Sequence, residues 1–197
     1  GITLGNIAII YKDQGDYEKV LEYYTKALDI HREIGNNRFE GMTLGNIALV
    51  YREQGEDEKA LEHYTKALDI AREIGNKRNE GVTLGNIGDL YNKLNEPDKA
   101  QSHLEKAIQI CDETFPGAAG AFRGTRALTF AENGDISQAL VVIEAGEPQV
   151  MTMPLEHGKF LCKKAQVLHI AEEPVLAFEA LNQAVEVAET FSVTPES

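Results

Sequence analysis

Three asparagines stand 40 residues apart, Asn6, Asn46 and Asn86, each inside the same tetrapeptide Thr-Leu-Gly-Asn. A carboxamide donates through its NH2 and accepts through its oxygen, so one side chain can meet both the N–H and the C=O of another chain. A row of them would hold an extended peptide by its backbone. Basic groups recur on the same beat: Lys12 and Arg52 lie six residues after the first two asparagines, and Arg38 and Arg78 eight residues before the last two. A guanidinium fork matches a carboxylate, so these four imply a peptide with acidic residues. Ile9 and Leu49 add apolar contact beside them. Two plainer readings stand alongside. The asparagines recur because a segment was duplicated, or bond a neighbouring helix. The cations pair with Glu40, Glu80 or Glu53, which exposed helices do at little net gain.

Bond-making chemistry has no comparable signature. HExxH, GxSxG, GxxxxGK[ST] and GxGxxG are all missing. His63 and His103 are one period apart but offer too few ligands for a metal, and read as solvated surface. Cys111 and Cys162 are isolated thiols without CxxC spacing; they read as small packing residues in a reducing, cytoplasmic compartment. The expectation is a non-catalytic protein with no cofactor.

The elements that position these residues come from the repeat itself. Residues 1–40 and 41–80 agree at 28 of 40 positions, and a third copy runs over 81–114. A fixed period of this size marks stacked supersecondary units. Leu4, Ile7, Ala8 and Tyr11 fall on one helical stripe; Val20, Leu21, Tyr24, Ala27 and Leu28 fall on a second. Between them Gly15 suits the left-handed end of a helix, and Asp16 suits the cap of the next. Gly35 closes the second helix before Asn36 and Asn37 turn into the following repeat. Each unit is therefore a hairpin of helix A and helix B. Gly5, Gly45 and Gly85 lie inside helix A, where Gly costs about 1 kcal/mol relative to Ala. Either close packing between A helices or close approach of a ligand backbone would explain them.

The pattern Leu4, Ile7, Ala8, Tyr11, Gly15, Val20, Tyr24, Ala27 resembles the tetratricopeptide repeat. It returns as Leu44, Ile47, Ala48, Tyr51, Gly55, Ala60, Tyr64, Ala67, and again as Leu84, Ile87, Gly88, Tyr91, Asn95, Ala100, Leu104, Ala107. The period of 40 is similar to the extended form in kinesin light chains, Pins-type adaptors and bacterial signalling proteins. The resemblance implies an all-α, right-handed superhelical solenoid of about five antiparallel hairpins, with A helices lining a concave groove. It also implies that an asparagine ladder there clamps peptide backbone.

The later chain keeps the spacing loosely. Residues 115–158 read as a degenerate fourth repeat, in which FPGAAG (115–120) breaks a helix and 146–158 forms an irregular connector. Arg123 and Arg126 occupy positions that should be apolar, and Thr125 and Lys163 replace the asparagine. Residues 159–191 read as a fifth, capping-like repeat, and 192–197 as a tail. A net charge of -13 disfavours nucleic acid and anionic membrane, and no apolar run is long enough to span a bilayer. The chain opens at Gly1 in mid-repeat without an initiator Met, which reads as a piece of a longer protein. The expected function is protein or peptide binding in the A-helix groove. The alternative is a regulatory or self-assembling segment of a larger bacterial signalling protein, acting through the solenoid ends as a homo-oligomer.

Overall fold

Helix-forming stripes separated by glycine and a capping side chain fold as the sequence predicts. The computed structural model describes residues 1–193, apart from the side chains of Ile2, Asp13 and residues 191–193; of the expected tail (192–197), residues 192 and 193 continue the last helix and 194–197 lie outside the described residues. Among the described residues there are ten α-helices and no strand. They are α1 (Ile2–Asp13), α2 (Tyr17–Glu33), α3 (Asn37–Glu53), α4 (Asp57–Glu73), α5 (Lys77–Lys93), α6 (Pro97–Thr114), α7 (Pro116–Glu132), α8 (Ile136–Val150), α9 (Pro154–Ile170) and α10 (Pro174–Val193).

The joints use the anticipated chemistry. Gly15 takes a φ of 74°, a backbone state open to glycine at little cost, and reverses the chain between α1 and α2. Asp16 then accepts the Lys19 N–H at 3.2 Å, and Asn36 accepts the Phe39 N–H at 3.3 Å. Asn95 adopts the same left-handed state with φ 58° where the earlier repeats have glycine.

The chain divides into two units, Gly1–Leu90 and Tyr91–Ser197. In the first, Ala8, Val20, Tyr24, Leu28, Leu44, Ile47, Val50 and Ala67 form one buried cluster across α1, α2, α3 and α4. Side chains at a spacing of three or four residues meet this way because they share one helix face. Each hairpin is also fastened at its outer edge by rings. Tyr11 stacks on Tyr23 at 5.4 Å with the Lys19 ammonium 4.7 Å above Tyr11. Tyr51 and His63 meet at 5.2 Å with their planes tilted by 44°, beneath Lys59. His63 Nδ1 donates to the Lys59 carbonyl, so this histidine is half-buried packing rather than solvated surface.

The second unit packs more tightly than its sequence suggests. An irregular connector over 146–158 does not form: α8 continues through Pro148 to Val150, α9 begins at Pro154, and only Met151–Met153 lies between them. FPGAAG likewise starts a helix, with Phe115 as the joint and Pro116 at the first position of α7. The glycines mark contact here, not breakage. A Cβ on Gly120 would lie 2.7 Å from the Gly146 carbonyl oxygen, and one on Gly146 would lie 2.8 Å from the Phe160 ring. Arg123 reaches out of the core to make two bonds to Asp112 (2.7 and 2.8 Å) and one to Gln149 (2.6 Å), joining α6, α7 and α8. That fork holds the Asp112 carboxyl below its ordinary range. Arg126 donates to Gln101 at 3.0 Å and lies over the Phe130 ring.

The cluster of the first unit sets a stability contrast within one helix. Leu44→Ala should lower stability by about 2–5 kcal/mol through lost burial and a cavity. Met42→Ala, two residues away on the exposed side, should stay within about 0.5 kcal/mol. Urea unfolding followed by circular dichroism measures both.

Candidate functional site

Once α3 has given Leu44, Ile47 and Val50 to the core, its opposite side remains uncovered. That side carries Met42, Gly45, Asn46 and Leu49. With Asn79, Val82, Thr83 and Asn86 of α5 these residues line an open cavity of about 180 Å³. Gly41 and Ala67 complete its wall. Two of the three predicted asparagines therefore meet in one groove, on neighbouring A helices, above an apolar floor of Met42, Leu49 and Val82. Asn6 and Ile9 occupy the same register on α1 and are exposed.

Among the described residues, no hydrogen bond joins the side chain of Asn6, Asn46 or Asn86 to a neighbouring helix. Asn36 and Asn76 behave differently: both cap helices, accepting from Phe39 N–H and Asn79 N–H. The helix-A glycines divide: Gly85 is buried, whereas Gly5 and Gly45 are not. A Cβ at Gly5 or Gly45 would meet nothing within 4 Å. Packing between helices accounts for neither residue, and the open space above each admits a close-lying backbone.

The cations are disposed differently from one another. Lys12 Nζ stands 2.9 Å from Glu53 Oε1, and Arg52 faces Asp89 at 4.0 Å. Both pairs link consecutive A helices, and each matches its positive charge with a negative one. Arg38 and Arg78 lie exposed in the first turns of α3 and α5, beyond the residues that line the cavity. Glu40 and Glu80 pair instead with Arg32 (2.9 Å) and Arg72 (3.1 Å), each joining a B helix to the following A helix.

Glu80 is the most enclosed of these carboxylates. Burial pushes its pKa up, but bonds from Lys77 (2.7 Å) and Arg72 (3.1 Å) outweigh burial and leave it below its ordinary 4.5. Tyr64 of α4, fully buried, is pushed far above the ordinary phenol range by burial.

In the second unit the corresponding positions of the A helices make contacts of their own. Lys163, at the asparagine register of α9, donates to Thr125, at the asparagine register of α7, at 2.6 Å. Gly124 lies against Phe160, where a Cβ would sit 2.9 Å from the ring. Here the same positions are spent on packing. Among the described residues no group of three His, Cys, Asp or Glu side chains could hold a metal, and no helix is long and apolar enough to cross a membrane.

The sequence places Val82 on the groove face but misses Asn79 and Thr83. Their signal was present, since they lie seven and three residues before Asn86 on α5.

The family model for the tetratricopeptide repeat matches residues 1–73 and 39–113. No curated protein matches the chain. Among solved structures, BtubC (BKLC) from P. vanneervenii is similar with a TM-score of 0.77 at 16% identity, covering 98% of this chain and 82% of that one. The nearly identical TPR-like repeats of a putative kinesin light chain from Podosopora anserina give 0.70 at 14% identity, with 98% and 96% covered. A Rap protein complexed with competence and sporulation factor gives 0.69 at 16% identity, with 96% and 64% covered.

The Arg72–Glu80–Lys77 cluster generates a pH prediction. A carboxylate whose pKa is depressed by folding contributes stability that is complete above its unfolded value and is lost as pH falls through the folded one. Glu80→Gln should therefore be less stable than wild type at pH 7. The gap should narrow steadily as pH drops below about 4.5, the ordinary value. Urea midpoints for both proteins between pH 7 and pH 3 measure it.

Proposed function

This chain belongs to the tetratricopeptide repeat family, and we propose that its first unit grips an extended segment of a partner protein along the A-helix groove. The fold itself is a scaffold for protein–protein interaction. The finer reading assigns the clamp to Asn6, Asn46 and Asn86, with Ile9, Leu49 and the floor of Met42 and Val82 supplying apolar contact. One observation carries it: three carboxamides repeat in register without a hydrogen bond to another helix among the described residues, and two of them stand beside glycines, Gly5 and Gly45, with open space above.

The spacing is suitable. Packed helices lie about 8–10 Å apart and an extended chain advances about 3.3 Å per residue. Successive asparagines would meet the ligand backbone at about every third residue. Specificity then comes from the side chains between rungs, one of which would enter the cavity of about 180 Å³. A preference for acidic residues draws on Arg38 and Arg78, which stand exposed in the first turns of α3 and α5. The likeness to a Rap protein complexed with competence and sporulation factor supports a ligand-bearing role for this fold.

The test is an array of extended peptides probed with wild type and with Asn6, Asn46 and Asn86 all changed to Ala. The triple variant should retain its helical circular dichroism, since no hydrogen bond joins those side chains to a neighbouring helix. Its affinity for selected peptides should fall at least about tenfold, the loss of roughly one good hydrogen bond. Reversing Arg38 and Arg78 to Glu should weaken acidic peptides alone. Unchanged affinity in the triple variant would remove the clamp; unchanged discrimination in the double variant would remove only the acidic preference.

A further inference from the structure

Two positions on the B helices change character along the chain. Lys19 and Lys26 of α2 are repeated by Lys59 and Lys66 of α4 and by Lys99 and Lys106 of α6. In α8 the same positions hold Gln138 and Ala145, and in α10 they hold Leu176 and Gln183. Neither α8 nor α10 contains a lysine or an arginine. The change removes a specific ion pair. Lys26 Nζ lies 2.6 Å from Glu22, and Lys66 Nζ lies 2.6 Å from Glu62. On α10 the glutamate is kept as Glu179, while the residue in its cation's place is Gln183.

Glu179 and Gln183 face an open cavity of about 180 Å³ between α8 and α10, with α9 behind it. Leu140 and Ile143 of α8, Leu168 of α9 and Ala180 of α10 make its floor apolar, and Glu144 of α8 lines it opposite Glu179. The floor is firm, since Leu168 and Ala180 belong to a buried cluster that Leu140 packs against. Among the described residues no lysine, arginine or histidine forms an ion pair with Glu144 or Glu179. Lys164 also lines the cavity, but its Nζ lies 2.6 Å from Glu147. Leu176, at the cavity's edge, is 46% exposed. These positions of α10 are not the ones a further hairpin would cover. Their counterparts on α2, Lys19, Glu22 and Lys26, stay exposed although α3 packs against that helix.

From this we propose that the groove between α8 and α10 takes a cationic amphipathic segment of a partner protein. An aliphatic side chain of that segment rests on Leu140, Ile143 and Leu168, and its lysines or arginines reach Glu144 and Glu179. The reading is independent of the A-helix groove. An apolar floor alone would accept any hydrophobic segment; the two unmatched carboxylates select the sign of charge beside it. The stem of a lysine or arginine can itself lie along Leu176 while its head stays in water. A net charge of -13 draws the same class of partner from a distance and repels an acidic one.

Fluorescence anisotropy on the 197-residue chain tests this with a labelled helical peptide that carries leucines on one face and lysines beside them. Changing Glu144 and Glu179 together to Gln should weaken binding at least about fivefold, the loss of two ion pairs. Changing Glu22 and Glu62 together to Gln removes the same total charge from α2 and α4, and should weaken binding less than about twofold. Leu176→Ser should weaken it as well, and the Ala variant of Asn6, Asn46 and Asn86 should bind as wild type does. A peptide with glutamate in place of every lysine should not bind. Equal losses in the two glutamine pairs would mean attraction to bulk charge and overturn the proposal. Wild type that ignores the lysine peptide, or binds the glutamate peptide equally well, overturns it too.

Discussion

The burial of each B helix beneath the following A helix is the contact on which the rest depends. Tyr24 and Leu28 join Ala8 and Val20 of their own hairpin to Leu44, Ile47 and Val50 of the next A helix in one buried cluster. An isolated hairpin would leave that shared face in water, which is why such units are stable in stacks. Small residues set the distance. Ala8, Ala27, Ala48 and Ala67 are buried with almost no exposed surface, and their short side chains let the helix axes approach while Tyr24 and Tyr64 fill the space beside them.

The candidate site follows from that contact as its remainder. An A helix of 17 residues has more circumference than its two neighbours can cover. The uncovered strip of α3 therefore holds Met42, Gly45, Asn46 and Leu49, with no hydrogen bond from the carboxamide to a neighbouring helix. A polar group kept in water can form new bonds without first breaking old ones, and a helix backbone holds it at a fixed spacing. The second unit displays the opposite use of the same strip. There Lys163 and Thr125 bond each other and Gly124 admits Phe160, so the helices close upon themselves and the strip joins the core.

Where the sequence repeats, three-dimensional structure was readable from it. Twenty-eight identities in 40 positions put Asn6 and Asn46 in one register and carry the cap at Asn36 over to Asn76, because near-identical neighbours pack alike. Legibility failed where glycine and proline have two meanings. Gly120 and Gly146 look like helix breakers in a list of residues, yet each stands where another helix presses to within van der Waals distance. Pro148 sits inside α8, and Pro116 and Pro154 start helices, so the proline count alone misplaced a connector. The charges were harder still. Lys12 and Arg52 choose Glu53 and Asp89 on adjacent A helices, partners 41 and 37 residues distant, which no local spacing rule selects.

Photo-crosslinking from the uncovered strip tests the groove most directly. A photoreactive phenylalanine analogue placed at Ile9 and, separately, at Leu49 would be irradiated with a bound peptide chosen from the array, and the crosslinked residues located by mass spectrometry. Both positions should label one peptide at two sites separated by about three residues per rung, since an extended chain advances about 3.3 Å per residue. Labelling of a single shared site from both positions, or labelling only from a control analogue at Glu62 on the outer side of α4, would contradict the account.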